Sequence, residues 1–443
     1  MYSEELLMNK NPVIIVPGLG RSKLVLCDDS GNKIKNAWPF ELDTKAILDE
    51  LKGSLMKLML FRKDAGFSDR IADIVREVAE PLALNPDGTK KHNIKPVEFR
   101  KPVSECSAEE KSFIYKAVPV DMFGEKLSED KLFYFAYDFL GDIGDIAASL
   151  DSFISFVKEK TGSEKVDLLV VSTAGSVFKA YLKDYSVKSD IGKAVCVAAT
   201  LDGASLVADI YENKLNLDNP MSLLSSVGGK AASLGQMAGM IPEEVINNVI
   251  SKSIDVIKTL ILENCTALWA LVPSSETENA LSAANVNDVL REKVRELASF
   301  DFATYLAENE VYAVGGCGKT LLPVAASSDI DCDGLVDTAS VTYGVSSEKV
   351  WLYRDQAHDS ILYNDSVMSL VLKILCGEDV TEYPRENGAR NVKKLKNELM
   401  PKIEADENAK AYIEEYKNML GAVVITDDSQ IKELENKIGS LNS

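Results

Sequence analysis

Six short apolar runs constrain this chain more than any other feature: Val13–Val16, Phe133–Tyr137, Val166–Val171, Ala194–Thr200, Val311–Gly315 and Lys349–Tyr353. Most are nearly unbroken in apolar residues. A strand with one wet face alternates, whereas a strand covered on both faces need not, so these runs fit the strands of a buried parallel sheet. Helical patterns lie between some of them, notably Ile146–Lys160 and Gly175–Lys183. Strand, helix, strand, helix predicts an α/β architecture, a mostly parallel central sheet with helices on both faces.

Two long insertions interrupt that alternation. The first, about 40–130, is charged and mixed. The second opens at Ser205 and reads as several helices punctuated by Pro220, Pro242 and Pro273. The expected division is a core over 1–204, a helical cap or lid over 205–305, a second core part over 306–380, and a charged helical tail over 381–443. Within the cap, Ser222–Ile241 carries one charge, Lys230, and is rich in Ser, Ala, Gly and Met. It reads either as a mobile lid or as a helical hairpin packed through small residues.

The formal net charge is −20, so the surface is expected to repel nucleic acid and anionic lipid. The nearest basic patch, Lys90–Lys95, is short. Seven cysteines are scattered and none has CxxC spacing, which argues for reduced thiols in a cytoplasmic setting and against a zinc site. The N-terminal stretch lacks an apolar signal core, although a trimmed signal stays open. No stretch is apolar enough for a membrane span.

Residues Val166 to Leu182 read VDLLVVSTAGSVFKAYL, a buried strand, a small-residue turn and a helix. A serine at such a corner is lifted out of the sheet, and the next backbone N–H points at the oxyanion that forms when its hydroxyl attacks a carbonyl. Ser172 occupies the corner. The usual GxSxG spacing is altered, with Val170 and Ala174 where the glycines belong. Thr173 is an alternative nucleophile, but Ser172 is preferred because a secondary alcohol is bulkier and Val171 would then stand at the tight position. Ser172 could also be a simple helix cap.

The remaining segments add weight. Asn11 to Leu24 read NPVIIVPGLGRSKL, a strand entering a Pro-Gly-x-Gly turn of the kind that lends a second oxyanion donor. Trp38-Pro39 follows, then Tyr137-Asp138, AATLDGA at Ala198–Ala204, LWALVPS at Leu268–Ser274, CDGLVDTAS at Cys332–Ser340 and AHDSIL at Ala357–Leu362. In this order the segments resemble the lecithin:cholesterol acyltransferase-like family of α/β hydrolases, over about residues 11–375. The resemblance implies an α/β-hydrolase fold with a helical cap. It departs from the family where YDWR becomes Tyr137-Asp138-Phe139-Leu140, at Thr200-Leu201, and at the elbow.

The order Ser, Asp, His is the one such folds use. The resemblance implies Asp333 as the acid and His358 as the general base for Ser172, with the backbone N–H groups of Leu19 and Thr173 as oxyanion donors. His358 is one of only two histidines, so its fall in the family slot is informative. The other, His92, is expected on the solvated surface. Asp329, Asp331 and Asp337 crowd Asp333 and leave the identity of the acid open.

Two further patterns look like ligand-binding loops. Asp329-Ile-Asp-Cys-Asp-Gly resembles a calcium loop, but its twelfth position is Ser340 and the run is expected to continue into a strand. Gly315-Gly-Cys-Gly-Lys-Thr320 resembles the end of a phosphate loop, but position 313 is Ala. The expected function is a serine esterase or lipase-like hydrolase, or an acyltransferase, needing no metal or cofactor. Its substrate would be an ester or lipid-like small molecule. Met221, Met237 and Met240 are expected to line an apolar acyl pocket under the cap. Transient contact of the cap with a membrane or micelle is left open, as is the oligomeric state. The alternative is a catalytically impaired hydrolase-fold protein that binds a ligand or partner, and Val170 favours it.

Overall fold

The computed structural model describes residues 11–123, 126–215, 241–321, 325–381, 383 and 386–388. Its central sheet has seven strands, β1 (Val13–Val16), β2 (Leu132–Tyr134), β3 (Val166–Val171), β4 (Ile191–Val197), β5 (Val311–Cys317), β6 (Val350–Arg354) and β7 (Glu386–Gly388). They lie in the order β7-β6-β5-β4-β3-β1-β2, and every pairing is parallel. Chain order is broken once, where β1 lies between β2 and β3.

The unbroken apolar runs follow from burial on both faces. Ile14, Val16, Leu168, Val170, Ala194 and Cys196 belong to one hydrophobic core. Their neighbours Val13, Ile15, Leu169, Val171, Val195 and Val197 belong to a second core on the other face. That is the period-2 alternation of a strand with both faces apolar. Helices cover each side. α3 (Ile143–Thr161) and α4 (Ala174–Tyr185) pack into the first core, and α6 (Asp365–Cys376) with the helix Ala108–Ala117 packs into the second. Asp142 caps α3 by accepting from the N–H groups of Gly144 and Asp145, and Gly162 closes it at φ 68°. With its all-parallel sheet, single break in strand order and two helical layers, the chain has an α/β-hydrolase fold.

Strand ends differ from those expected. β4 stops at Val197 because Ala198 turns the chain at φ 47°. β2 stops at Tyr134, and Phe135–Tyr137 run on as a buried loop. β7 was not expected, since 386–388 fell within the presumed helical tail. The rest of that tail lies outside the described residues.

The first insertion holds α1 (Thr44–Phe61), α2 (Phe67–Ala79), the Ala108–Ala117 helix and Ile94–Pro96. The last of these completes an antiparallel three-stranded sheet with Leu24–Cys27 and Lys33–Trp38. The second insertion holds α5 (Glu243–Leu260) and several shorter helices. The two insertions meet: Leu51 and Leu58 of α1, Phe67 and Ile74 of α2 and Val245 of α5 form one apolar cluster. Lys252 also reaches the Ser68 hydroxyl at 3.0 Å.

Candidate active site

In parallel sheets, ligands bind beyond the carboxyl ends of the strands where strand order reverses. Here that point lies between β1 and β3, and the loops leaving these strands touch. Gly18 follows β1, and a Cβ placed on it would come within 2.9 Å of the Cβ of Ser172. Ser172 follows β3 and adopts φ 55°, a left-handed conformation that a non-glycine residue holds at a cost of about 1–3 kcal/mol. Surrounding bonds enforce it. The Ser172 N–H donates to Val197 O (3.0 Å), and its carbonyl accepts from Thr200 N–H (3.0 Å) and Gly175 N–H (3.1 Å).

The glycines of the usual elbow pattern are displaced. Val170 is fully buried within β3, and its branched side chain joins the first core without obstructing the corner. The close approach between α4 and the β4 end is made at Gly175, where a Cβ would lie 2.6 Å from Thr200 O. The second close approach is at Gly18.

Three side chains converge at the corner. Ser172 Oγ lies 2.8 Å from His358 Nε2. His358 Nδ1 lies 2.7 Å from Asp333 Oδ2. Asp333 is 1% exposed. Its other oxygen, Oδ1, accepts from the N–H groups of Leu335 (3.0 Å) and Val336 (2.9 Å). The two segments are also joined by backbone, with His358 N–H donating to Asp333 O at 3.0 Å. A carboxylate at Nδ1 favours the tautomer with its proton there, which leaves Nε2 free to accept the serine proton.

The neighbouring acids face elsewhere. Asp331 Oδ1 accepts from Gly318 N–H (2.6 Å), and Asp337 Oδ2 accepts from the N–H (2.8 Å) and hydroxyl (2.7 Å) of Ser205. Burial raises the Asp337 carboxyl above its ordinary range. After Asp337 the chain forms a single helical turn, Thr338–Val341, where a strand was expected. Among the described residues no cluster of three or more His, Cys, Asp or Glu side chains converges as a metal site would require. The glycines of the phosphate-loop look-alike serve packing. A Cβ on Gly316 would lie 2.3 Å from Gln356 O and 2.8 Å from Asp333 Cβ, so this strand end admits the acid's loop.

Neither the Thr173 N–H nor the Leu19 N–H donates to another group among the described residues. Both residues line a pocket of about 420 Å³ with Ser172 and His358. Its walls are mostly apolar, with Leu206, Val207 and Leu271 from the second insertion facing Leu335, Val336 and Leu362. Arg21, Asp359 and Tyr363 also line it. Leu271, Leu335 with Val336, and Leu362 stand in the quoted LWALVPS, CDGLVDTAS and AHDSIL segments, whereas Leu206 and Val207 carry no sequence signal that separates them from core positions. Met221, Met237 and Met240 lie outside the described residues. His92 is partly exposed, 3.4 Å from Glu80.

A larger cleft of about 710 Å³ opens between the loop around Lys90 and α3. It contains none of the three converging residues. Its charges are largely paired: Lys90 with Asp138 (2.7 Å), Lys293 with Asp142 (2.8 Å) and Arg100 with Glu98 (2.9 Å). The candidate site is therefore the smaller pocket at the switch point.

No protein-family model matches the chain, and no curated protein matches it by sequence. Solved structures give loose likenesses. The mature form of the Bacillus licheniformis lipase BlEst2 is 11% identical, with a TM-score of 0.33 over 63% of this chain and 89% of that one. The meta-cleavage product hydrolase CumD of Pseudomonas fluorescens IP01 is 15% identical, with a TM-score of 0.25 over 51% of this chain and 70% of that one. The Tle4–Tli4 complex gives 14% identity and a TM-score of 0.25 over 85% and 68%.

Proposed function

We propose that this protein is a serine hydrolase acting on acyl esters, with Ser172 as nucleophile, His358 as general base and Asp333 as the acid that orients it. The observation that carries the reading is the chain of hydrogen bonds from Ser172 Oγ to His358 to Asp333, 2.8 Å and 2.7 Å long. It stands at the switch point of the sheet, beside two undonated backbone N–H groups. Ser172 Oγ attacks the ester carbonyl while His358 Nε2 takes its proton. The oxyanion is held by the N–H groups of Thr173 and Leu19. Collapse expels the alcohol, protonated by His358, and leaves an acyl-enzyme. Water, or a second alcohol, then accepts the acyl group by the reverse sequence.

The apolar walls favour an aliphatic acyl chain. The motif order resembling the lecithin:cholesterol acyltransferase-like family supports a lipid-like ester and keeps acyl transfer beside hydrolysis. Contact with a lipid surface is supported by α1 more directly than by the cap. It exposes Leu48, Met56, Met59, Leu60 and Phe61 beside Lys45, Lys52 and Lys57, and Arg62 and Lys63 follow it. The helix also carries Asp49, paired with Lys52, and Glu50, but its five exposed apolar side chains and the flanking Arg62 and Lys63 set this face apart on a chain of net charge −20. Among the described residues no helix is long and apolar enough to cross a membrane. The scattered free thiols support a cytoplasmic setting.

The test is a fluorophosphonate probe on the purified protein, with the labelled peptide identified by mass spectrometry. Labelling at Ser172 that is lost in Ser172→Ala, together with turnover of a p-nitrophenyl ester, is the expected result. Labelling elsewhere, or undiminished turnover by Ser172→Ala, overturns the assignment.

A further inference from the structure

Leu206, Val207 and Leu271 form one wall of the pocket beside Ser172, and Leu335 and Val336 stand in the other. The first three belong to the second insertion, the last two to the segment that carries Asp333. An apolar contact has no preferred direction, so walls held by packing alone would slide or part to suit the acyl group that entered. Hydrogen bonds fix these walls. Asp337 directly follows Val336, and Ser205 directly precedes Leu206. Asp337 Oδ2 accepts from both the Ser205 N–H (2.8 Å) and the Ser205 hydroxyl (2.7 Å). The tie therefore joins the residues that adjoin the two walls.

Further bonds stiffen the same joint. The Ser340 hydroxyl donates to Gly203 O (2.6 Å) and accepts from Asp202 N–H (3.1 Å). Ala204 N–H donates to Leu271 O (2.8 Å), so the third wall residue hangs from the same corner. The short helix Ser205–Tyr211 carries Leu206 and Val207, and Asp209 near its other end accepts from Ser327 N–H (2.9 Å). Asp337 is 5% exposed, and its second oxygen, Oδ1, is buried and accepts from no group among the described residues. Keeping a half-satisfied carboxylate there costs stability. An apolar side chain at 337 would avoid that cost, but it would leave Ser205 untied.

Resting on the serine-hydrolase reading, we propose that Asp337 is a specificity-determining residue: by tying Ser205 it fixes the width of the acyl pocket and selects esters of unbranched acyl chains over branched ones. Walls that cannot part admit a slim chain and exclude a side branch. His358 takes Asp333 as its partner, so Asp337 acts on the wall and not on the proton transfer.

The test is the ratio of kcat/KM for two p-nitrophenyl esters of equal carbon number, the linear octanoate and its isomer with an ethyl branch beside the carbonyl. Wild type should prefer the linear ester by more than the ratio of their alkaline hydrolysis rates. In Asp337→Ala that preference should shrink about 10-fold, the scale on which an apolar pocket discriminates small differences in hydrocarbon shape. Ser205→Ala, which loses the hydroxyl and keeps the N–H, should shift less in the same direction. Asp337→Asn, which keeps an acceptor oxygen, should hold the wild-type ratio within about twofold. A substitution that only destabilised the fold would lower both rates together and leave the ratio alone. An unchanged ratio in Asp337→Ala overturns the proposal. So does a shift in Asp337→Asn as large as in Asp337→Ala, since the charge rather than the tie would then be responsible. If Asp337→Ala does not fold, an unchanged ratio in Ser205→Ala overturns it. Failure of the wild type to take a fluorophosphonate at Ser172 overturns the underlying reading instead.

Discussion

Gly18 faces Ser172 so closely that a Cβ on the glycine would stand 2.9 Å from the serine Cβ and 3.3 Å from its hydroxyl oxygen. The obstacle is a side-chain root held by a strained backbone, and it cannot swing away. Gly18→Ala should therefore push the nucleophile or the oxyanion loop out of register. The expected cost is about 100-fold in kcat, the usual scale for an ångström-sized misplacement at a reacting centre. Ester turnover and a thermal melt would check it. Wild-type kcat in a folded variant would show that the loop yields without affecting the serine.

Ser172 holds a left-handed backbone that only glycine adopts freely. Ser172→Ala and Ser172→Gly both remove the hydroxyl and its bond to His358, and both should abolish turnover. They should differ in stability. Relief of the positive φ should make Ser172→Gly more stable than Ser172→Ala by about 1 kcal/mol. Chemical denaturation of the pair would measure the difference. Equal midpoints would mean that the elbow stores no strain at this residue.

Asp333→Asn tests orientation as distinct from charge. The backbone N–H groups of Leu335 and Val336 point at Oδ1, so the asparagine carbonyl oxygen should take that place and its NH₂ should face His358 Nδ1. The imidazole would then carry its proton on Nε2 and lose its ability to accept from Ser172. A drop in kcat of roughly 10⁴-fold with an intact fold is expected.

The exposed face of α1 should bind lipid. The protein should co-float with vesicles rich in anionic phospholipid at low salt and detach as salt screens the lysines. The double variant Met56→Glu, Leu60→Glu changes two exposed side chains and should stay soluble and folded, turn over a soluble ester normally, and lose flotation. Flotation unaffected by the double change would move the contact elsewhere.

The sheet was legible in the sequence where burial on both faces made the strands continuously apolar, as at β1 and β3. β7, with the sequence Glu-Asn-Gly, pairs at the sheet edge through its backbone and leaves no hydrophobic trace. Strand ends were displaced where the backbone turned on a residue that gives no warning, such as Ala198. At the corner, Ser172 stood out because a small-residue turn follows a buried strand, and His358 because histidine is so scarce here. Tyr137 stood out only as part of the Tyr137-Asp138 pair, and the bond from its hydroxyl to the Pro17 carbonyl, 120 residues away, left no local sign. Gly18 stood in the quoted Pro-Gly-x-Gly turn, but the close contacts of Gly18 with Ser172 and of Gly175 with Thr200 were hidden, since each partner arrives from elsewhere in the chain.

Ser172 and His358 are hydrogen-bonded across a sequence separation of 186 residues. During synthesis the elbow emerges long before its base, and no local event can bring the two together. They meet only after β5 and β6 have docked onto β4 and the acid's loop has closed against Gly316. Reactivity at Ser172 is therefore a late and cooperative property, acquired with the last inner strand. In a refolding reaction, an active-site label would time completion of the sheet, whereas far-ultraviolet dichroism would register earlier helix formation. The closure entropy of so long a loop makes this step slow relative to helix growth.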